Sequence, residues 1–105
     1  MSFSDVETSP ATSAANAIRQ KRQFVEQAIA QATAAQWSDA AETNRRILEM
    51  GPDAEAENRL AKSLWELGEL GSAREHYQTA LALDPTNRIA ERNIDRLRVL
   101  LVEAG

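Results

Sequence analysis

An all-α fold is what this 105-residue chain predicts, on three observations. Alanine, the residue of highest helix propensity, fills 19 positions. Glycine and proline number only 4 and 3, too few for a loop-rich β protein. From about Ala14 onward, apolar residues recur at the three- and four-residue steps of a helix face. The length is that of one ordinary domain.

Residues 1–13 are rich in Ser, Thr, Asp and Glu and carry a Pro at position 10, and they read as a mobile tail. Ile18, Val25, Ile29 and Ala32 then form the stripe of a first helix, ending near Ala35-Gln36. Trp37-Ser38-Asp39 reads as a turn, with Ser38 or Asp39 as N-cap and Glu42 placed for a capping box. A second helix carries Ala40, Thr43, Ile47 and Met50. Gly51-Pro52 ends it, because Pro52 cannot continue a helix and Gly51 tolerates a left-handed cap. Asp53 caps a third helix bearing Leu60, Ala61, Leu64 and Leu67. The stretch Gly68 to Gly71 is the next break, and Ser72 with Glu75 has the spacing of a second capping box. The fourth helix holds Ala73, Tyr77, Ala80, Leu81 and Leu83, and Asp84-Pro85 stops it. The fifth starts near Thr86-Asn87 and carries Ala90, Ile94, Leu97 and Leu101.

The breaks repeat. Pro52 and Pro85 lie 33 residues apart, as do Ala40 and Ala73, Ala28 and Ala61, and Ile47 and Ala80. Two helices per roughly 34 residues is the arithmetic of a helical solenoid. Within it, residues 54–87 resemble a tetratricopeptide repeat. Leu60-Ala61-x-x-Leu64 stands for its L-G-x2-Y, Ala73-x-x-x-Tyr77 for its A-x3-F, Ala80 for the next small residue and Pro85 for its closing proline. Glu57 stands where the family prefers Trp. Residues 21–53 resemble a degenerate copy, with Phe24 for the Trp, Ala28 for the Gly, and Ala40 and Pro52 in register; Asn44 and Gln27 depart from the pattern. Residues 88–104 resemble the closing helix of such arrays. The resemblance implies a tetratricopeptide-like solenoid spanning 14–105, with two helix-turn-helix repeats and a C-terminal closing helix.

Charge and composition narrow the function. The 12 Lys and Arg against 16 Asp and Glu leave a net charge of −4, the wrong sign for nucleic-acid binding or a polybasic membrane anchor. No run of apolar residues is long enough to cross a membrane, and the first residues lack the basic start and apolar middle of a secretory signal, so a cytoplasmic protein is expected. The absence of cysteine excludes thiol nucleophiles, thiolate metal sites and disulfides. A single histidine, His76, reads as a surface residue with no nearby acid. Glu55, Glu57, Glu66, Glu69 and Glu75 read as exposed and helix-start acids. No phosphate-binding or metalloprotease motif occurs, so neither catalysis nor a metal or other cofactor is expected.

What the resemblance implies is a protein-binding module, an adaptor or scaffold whose groove is lined by the first helix of each pair. By that carry-over Val25, Ile29 and Ala32 would face the groove from the first helix, Asn58, Lys62 and Trp65 from the third, and Arg92, Arg96 and Val99 from the last. Spacings of four and three put each set on one helix side. An aromatic or aliphatic floor edged by Lys and Arg suits an acidic peptide or partner helix. The carboxylate clamp of some relatives is not expected, since Val25, Ile29 and Ile89 occupy its places, with only Arg59 and Asn93 polar near the rest. The closing helix carries additional apolar residues, Val99, Leu100 and Val102. They point to a second expectation, a structural subunit that forms a homo-oligomer through this helix.

Overall fold

A computed structural model describes residues 10–104. Five helices follow one another: α1 Pro10–Thr33, α2 Trp37–Glu49, α3 Ala54–Glu66, α4 Leu70–Leu83 and α5 Arg88–Ala104. No strand occurs among the described residues, and none of their helices is long and apolar enough to cross a membrane. The expected tail falls mostly on residues 1–9, outside the described residues; residues 10–13 already belong to α1.

Each helix packs chiefly on its neighbours in sequence, α1 on α2, α2 on α3, α3 on α4 and α4 on α5. The result is an elongated stack of 66 × 29 × 18 Å, the all-α helical repeat that the sequence predicts. Small residues set the crossings: Ala28, Ala40, Ala61, Ala73 and Ala80 are fully buried. Leu60, Leu64, Tyr77 and Leu97 fill the space between the helices, and Leu81 and Ile94 pack against them.

Two turns are near copies. At the end of α1 the Gln36 amide donates to the Gln31 carbonyl (2.8 Å) and the Ala35 amide to the Ala32 carbonyl (3.0 Å). At the end of α3 the Glu69 amide donates to Leu64 (2.8 Å) and the Gly68 amide to Trp65 (2.9 Å). Both are Schellman motifs turning on a left-handed residue, Ala35 at φ 57° and Gly68 at φ 85°. The next residue, Gln36 or Glu69, has nearly the same backbone in both (φ −86°, ψ 70° and φ −88°, ψ 70°) and opens the following helix without a side-chain cap.

That geometry corrects three expectations. Trp37, Ser38 and Asp39 do not form a turn; they are the first residues of α2, and neither Ser38 nor Asp39 is its N-cap. Ser72 and Glu75 are not a capping box, because α4 begins two residues earlier at Leu70 and both lie inside it. In each case the Schellman turn passes the chain directly into the next helix. The stripe Ile18–Val25–Ile29–Ala32 exists, but Ile18 and Ile29 are exposed. The buried line of α1 centres on Ala28 instead, and α1 with 24 residues outruns the 13 of α2, leaving Ile18 no partner.

Asp53 is the cap that the sequence predicts, and Asn87, where the sequence starts the last helix, proves to be a cap as well. Asp53 Oδ1 accepts from the Ala56 amide at 3.0 Å and opens α3. Asn87 Oδ1 accepts from the Ala90 amide at 3.1 Å and opens α5.

Candidate functional site

The fold brings α3 and α5 to either side of Tyr77, which rises from α4 between them. Two depressions lie on this face. The first, about 250 Å³, is lined by Ala32 of α1, Trp37 of α2, Asn58, Arg59 and Lys62 of α3, Tyr77, and Ile89 and Asn93 of α5. The second, about 400 Å³, is lined by Trp65 of α3 and by Arg96, Val99 and Leu100 of α5. Lys62 and Trp65 are one turn apart on α3, and Asn93 and Arg96 one turn apart on α5, so the two depressions follow one another along the same sides of α3 and α5, which together form a groove.

Lys62 sits at their junction. Its ammonium is 5.9 Å from the ring centres of both Trp37 and Trp65, within cation–π range of each. It is also 2.7 Å from Glu66 Oε1, one turn along. Lys62 is exposed, so this pair contributes only a few tenths of a kcal/mol and a competing carboxylate can exchange with Glu66. Trp65 meets Tyr77 edge-on at 6.5 Å, fixing the indole against the groove floor.

Polar contacts hold the floor in place. Asn58 Nδ2 donates to Asn87 Oδ1 at 3.1 Å, while Arg59 Nε donates to Asn44 Oδ1 at 3.0 Å. Asn58 Oδ1 is enclosed and has no hydrogen-bond partner. Burial raises the Tyr77 phenol above its ordinary 10.0, against the opposing pull of the Asn93 hydrogen bond and the Arg92 charge. Arg92 and Arg96 form no ion pair among the described residues.

Of the expected groove residues, Ala32, Asn58 and Lys62 share the first depression, and Trp65, Arg96 and Val99 the second. Arg92 lies beside them, in a polar hollow with Arg88, Glu91 and Asp95. Ile29 is exposed and lines neither depression, and Val25 is half-buried. Leu100, expected at an oligomer interface, borders the second depression together with Val99. Val102 is 74% exposed and lies outside it. Trp37 and Tyr77 were not expected here. Trp37 reads as a turn aromatic until α2 is seen to start on it, and Tyr77 carries the pattern of a core residue, which it also is.

His76 differs from expectation. Its Nδ1 lies 2.7 Å from Oε2 of Glu57, a buried carboxylate on α3. Glu57 is therefore not an exposed helix-start acid but one arm of a link between α3 and α4. Lys21 makes a comparable link, 2.8 Å from Asp53 Oδ2, tying α1 to the start of α3.

Residues 54–87, comprising α3, α4 and the turns that bound them, match the family model of the tetratricopeptide repeat. No curated protein matches this chain.

Proposed function

From a chain that carries a tetratricopeptide repeat at residues 54–87, we propose a non-catalytic interaction module that holds a segment of a protein partner in the groove between α3 and α5. The repeat itself marks a protein–protein interaction fold. The observation that carries the finer reading is an aromatic floor beside cations, of which Arg92 and Arg96 form no ion pair among the described residues and Lys62 has only an exposed one with Glu66. Trp37 and Trp65, both half-buried, offer aromatic surface, the kind that anchors partners most strongly, with the buried Tyr77 beneath Trp65 as support. Lys62, Arg92 and Arg96 stand along its edges on a chain whose net charge is −4. A local basic edge on a chain that is acidic as a whole favours an acidic segment as its occupant. The Glu57–His76 pair, the closest acid–histidine approach among the described residues, joins two packed helices away from this groove and serves structure.

Selection from a displayed random-peptide library tests this. The wild-type chain enriches sequences combining apolar and acidic residues, and the Lys62→Glu, Arg96→Glu variant, checked for unchanged helicity, retains none of them. Enrichment of the same sequences by that variant overturns the reading.

A further inference from the structure

We propose that the segment Phe3–Glu7 of a second copy of this chain is an occupant of the groove. The proposal rests on the groove reading above and names a ligand for it. An occupant must supply two apolar side chains for the two depressions and acidic groups for Lys62, Arg92 and Arg96. On α5 the first depression is bordered by Ile89 and Asn93 and the second by Arg96, Val99 and Leu100. Their midpoints are about seven residues apart, about 10 Å along the helix axis.

The sequence Phe3-Ser4-Asp5-Val6-Glu7 meets that specification. In a polyproline II conformation, with three residues per turn, side chains three apart share a face and lie about 9 Å apart. Phe3 and Val6 are three apart, and Asp5 and Glu7 flank Val6 with the charge that the cationic edge lacks.

Reach decides which copy supplies the segment. Ala32, which lines the first depression, is 22 residues up α1 from Pro10, about 33 Å along the helix. Val6 is four residues from Pro10 and extends at most about 14 Å from it. Phe3, seven residues away, extends about 25 Å. Both anchors therefore cannot sit in the groove of their own chain, and the segment docks on a neighbouring copy. Association then follows from the same contacts that bind partners, and a partner of similar chemistry competes with it.

The test uses the full chain with Phe3→Ala and Val6→Ala as receptor, so that its own segment does not compete. A fluorescent synthetic peptide of residues 1–9 is titrated with it and followed by anisotropy. Binding is expected at micromolar receptor, weakened at least tenfold by Phe3→Ala with Val6→Ala in the peptide or by Lys62→Glu with Arg96→Glu in the receptor. Light scattering on the wild-type chain is expected to show mass rising with concentration above the 11.6 kDa of one copy, with the Phe3→Ala, Val6→Ala chain staying at one copy. No peptide binding at millimolar receptor, binding unchanged by either pair of substitutions, or a wild-type mass fixed at one copy overturns the proposal. Should library peptides bind the groove while this peptide does not, the groove reading stands and only its occupant changes; should neither bind, both fall.

Discussion

Ala35 and Gly68 occupy the same turn, 33 residues apart, with the same hydrogen bonds and different side chains. A left-handed backbone brings Cβ close to the following carbonyl oxygen and costs an L-residue roughly 1–2 kcal/mol, a cost glycine escapes. Glycine gives back part of this through its larger freedom in the unfolded chain, roughly 0.4–1 kcal/mol. Ala35→Gly is therefore expected to stabilise the chain by about 1 kcal/mol, read as a higher urea midpoint at unchanged slope. The converse substitution, Gly68→Ala, loses a similar amount even though a methyl group there meets no atom within 4 Å. The loss is one of backbone conformation rather than space. Few single residues in the molecule separate those two effects so cleanly.

At the scale of the helix, what matters is how each one starts. Asp53 opens α3 by accepting from the Ala56 amide while its other oxygen meets Lys21. Burial by itself raises this carboxyl. The hydrogen bonds from Lys21 and the Ala56 amide, with the charges of Lys21 and Arg59, outweigh that and hold it below the ordinary 3.8. A depressed carboxyl contributes stability that is complete above the unfolded value and is lost as pH falls through the folded one. Asp53→Ala is thus expected to cost about 1 kcal/mol at pH 7. The difference from wild type should shrink as pH drops below 3.8, in paired chemical denaturations at pH 7 and pH 3. The same comparison shows what was legible. The start of α3 could be read because Asp53 is a true side-chain cap, and that of α5 because Asp84-Pro85 stops the helix before it. Those of α2 and α4 could not, because Gln36 and Glu69 begin a helix by backbone geometry alone, and capping-box spacings at Asp39–Glu42 and Ser72–Glu75 arise within the first turns instead. The groove followed the same division. Helical spacing placed Asn58, Lys62 and Trp65 together on α3. The partners that complete the depressions, Trp37, Tyr77 and Leu100, come from other helices at angles no spacing encodes. Nor does spacing reveal that Glu57 folds inward to meet His76.

The whole molecule is a stack in which each layer is buried by the next. α5 covers the far side of repeat 54–87, burying Ala90 and Leu97 against a core that includes Tyr77 and Ala80. It also supplies the cationic wall of the groove, Arg96 with Val99 and Leu100. Ending the chain at residue 87 uncovers that apolar face, and a single repeat cannot bury both its sides. The shortened chain is expected to lose cooperative thermal unfolding by circular dichroism and to bind a hydrophobic dye. A sharp transition retained by it would show that α5 closes the groove without supporting the repeat.

The packing of each helix on its sequence neighbours also sets how the protein comes into being. Contacts between adjacent helices close short loops, and chains of low contact order fold in microseconds to milliseconds. A ribosome adds roughly 5–20 residues each second. Each helix after α1 therefore emerges to find its packing surface already formed, and the stack grows layer by layer in the order in which the chain is made.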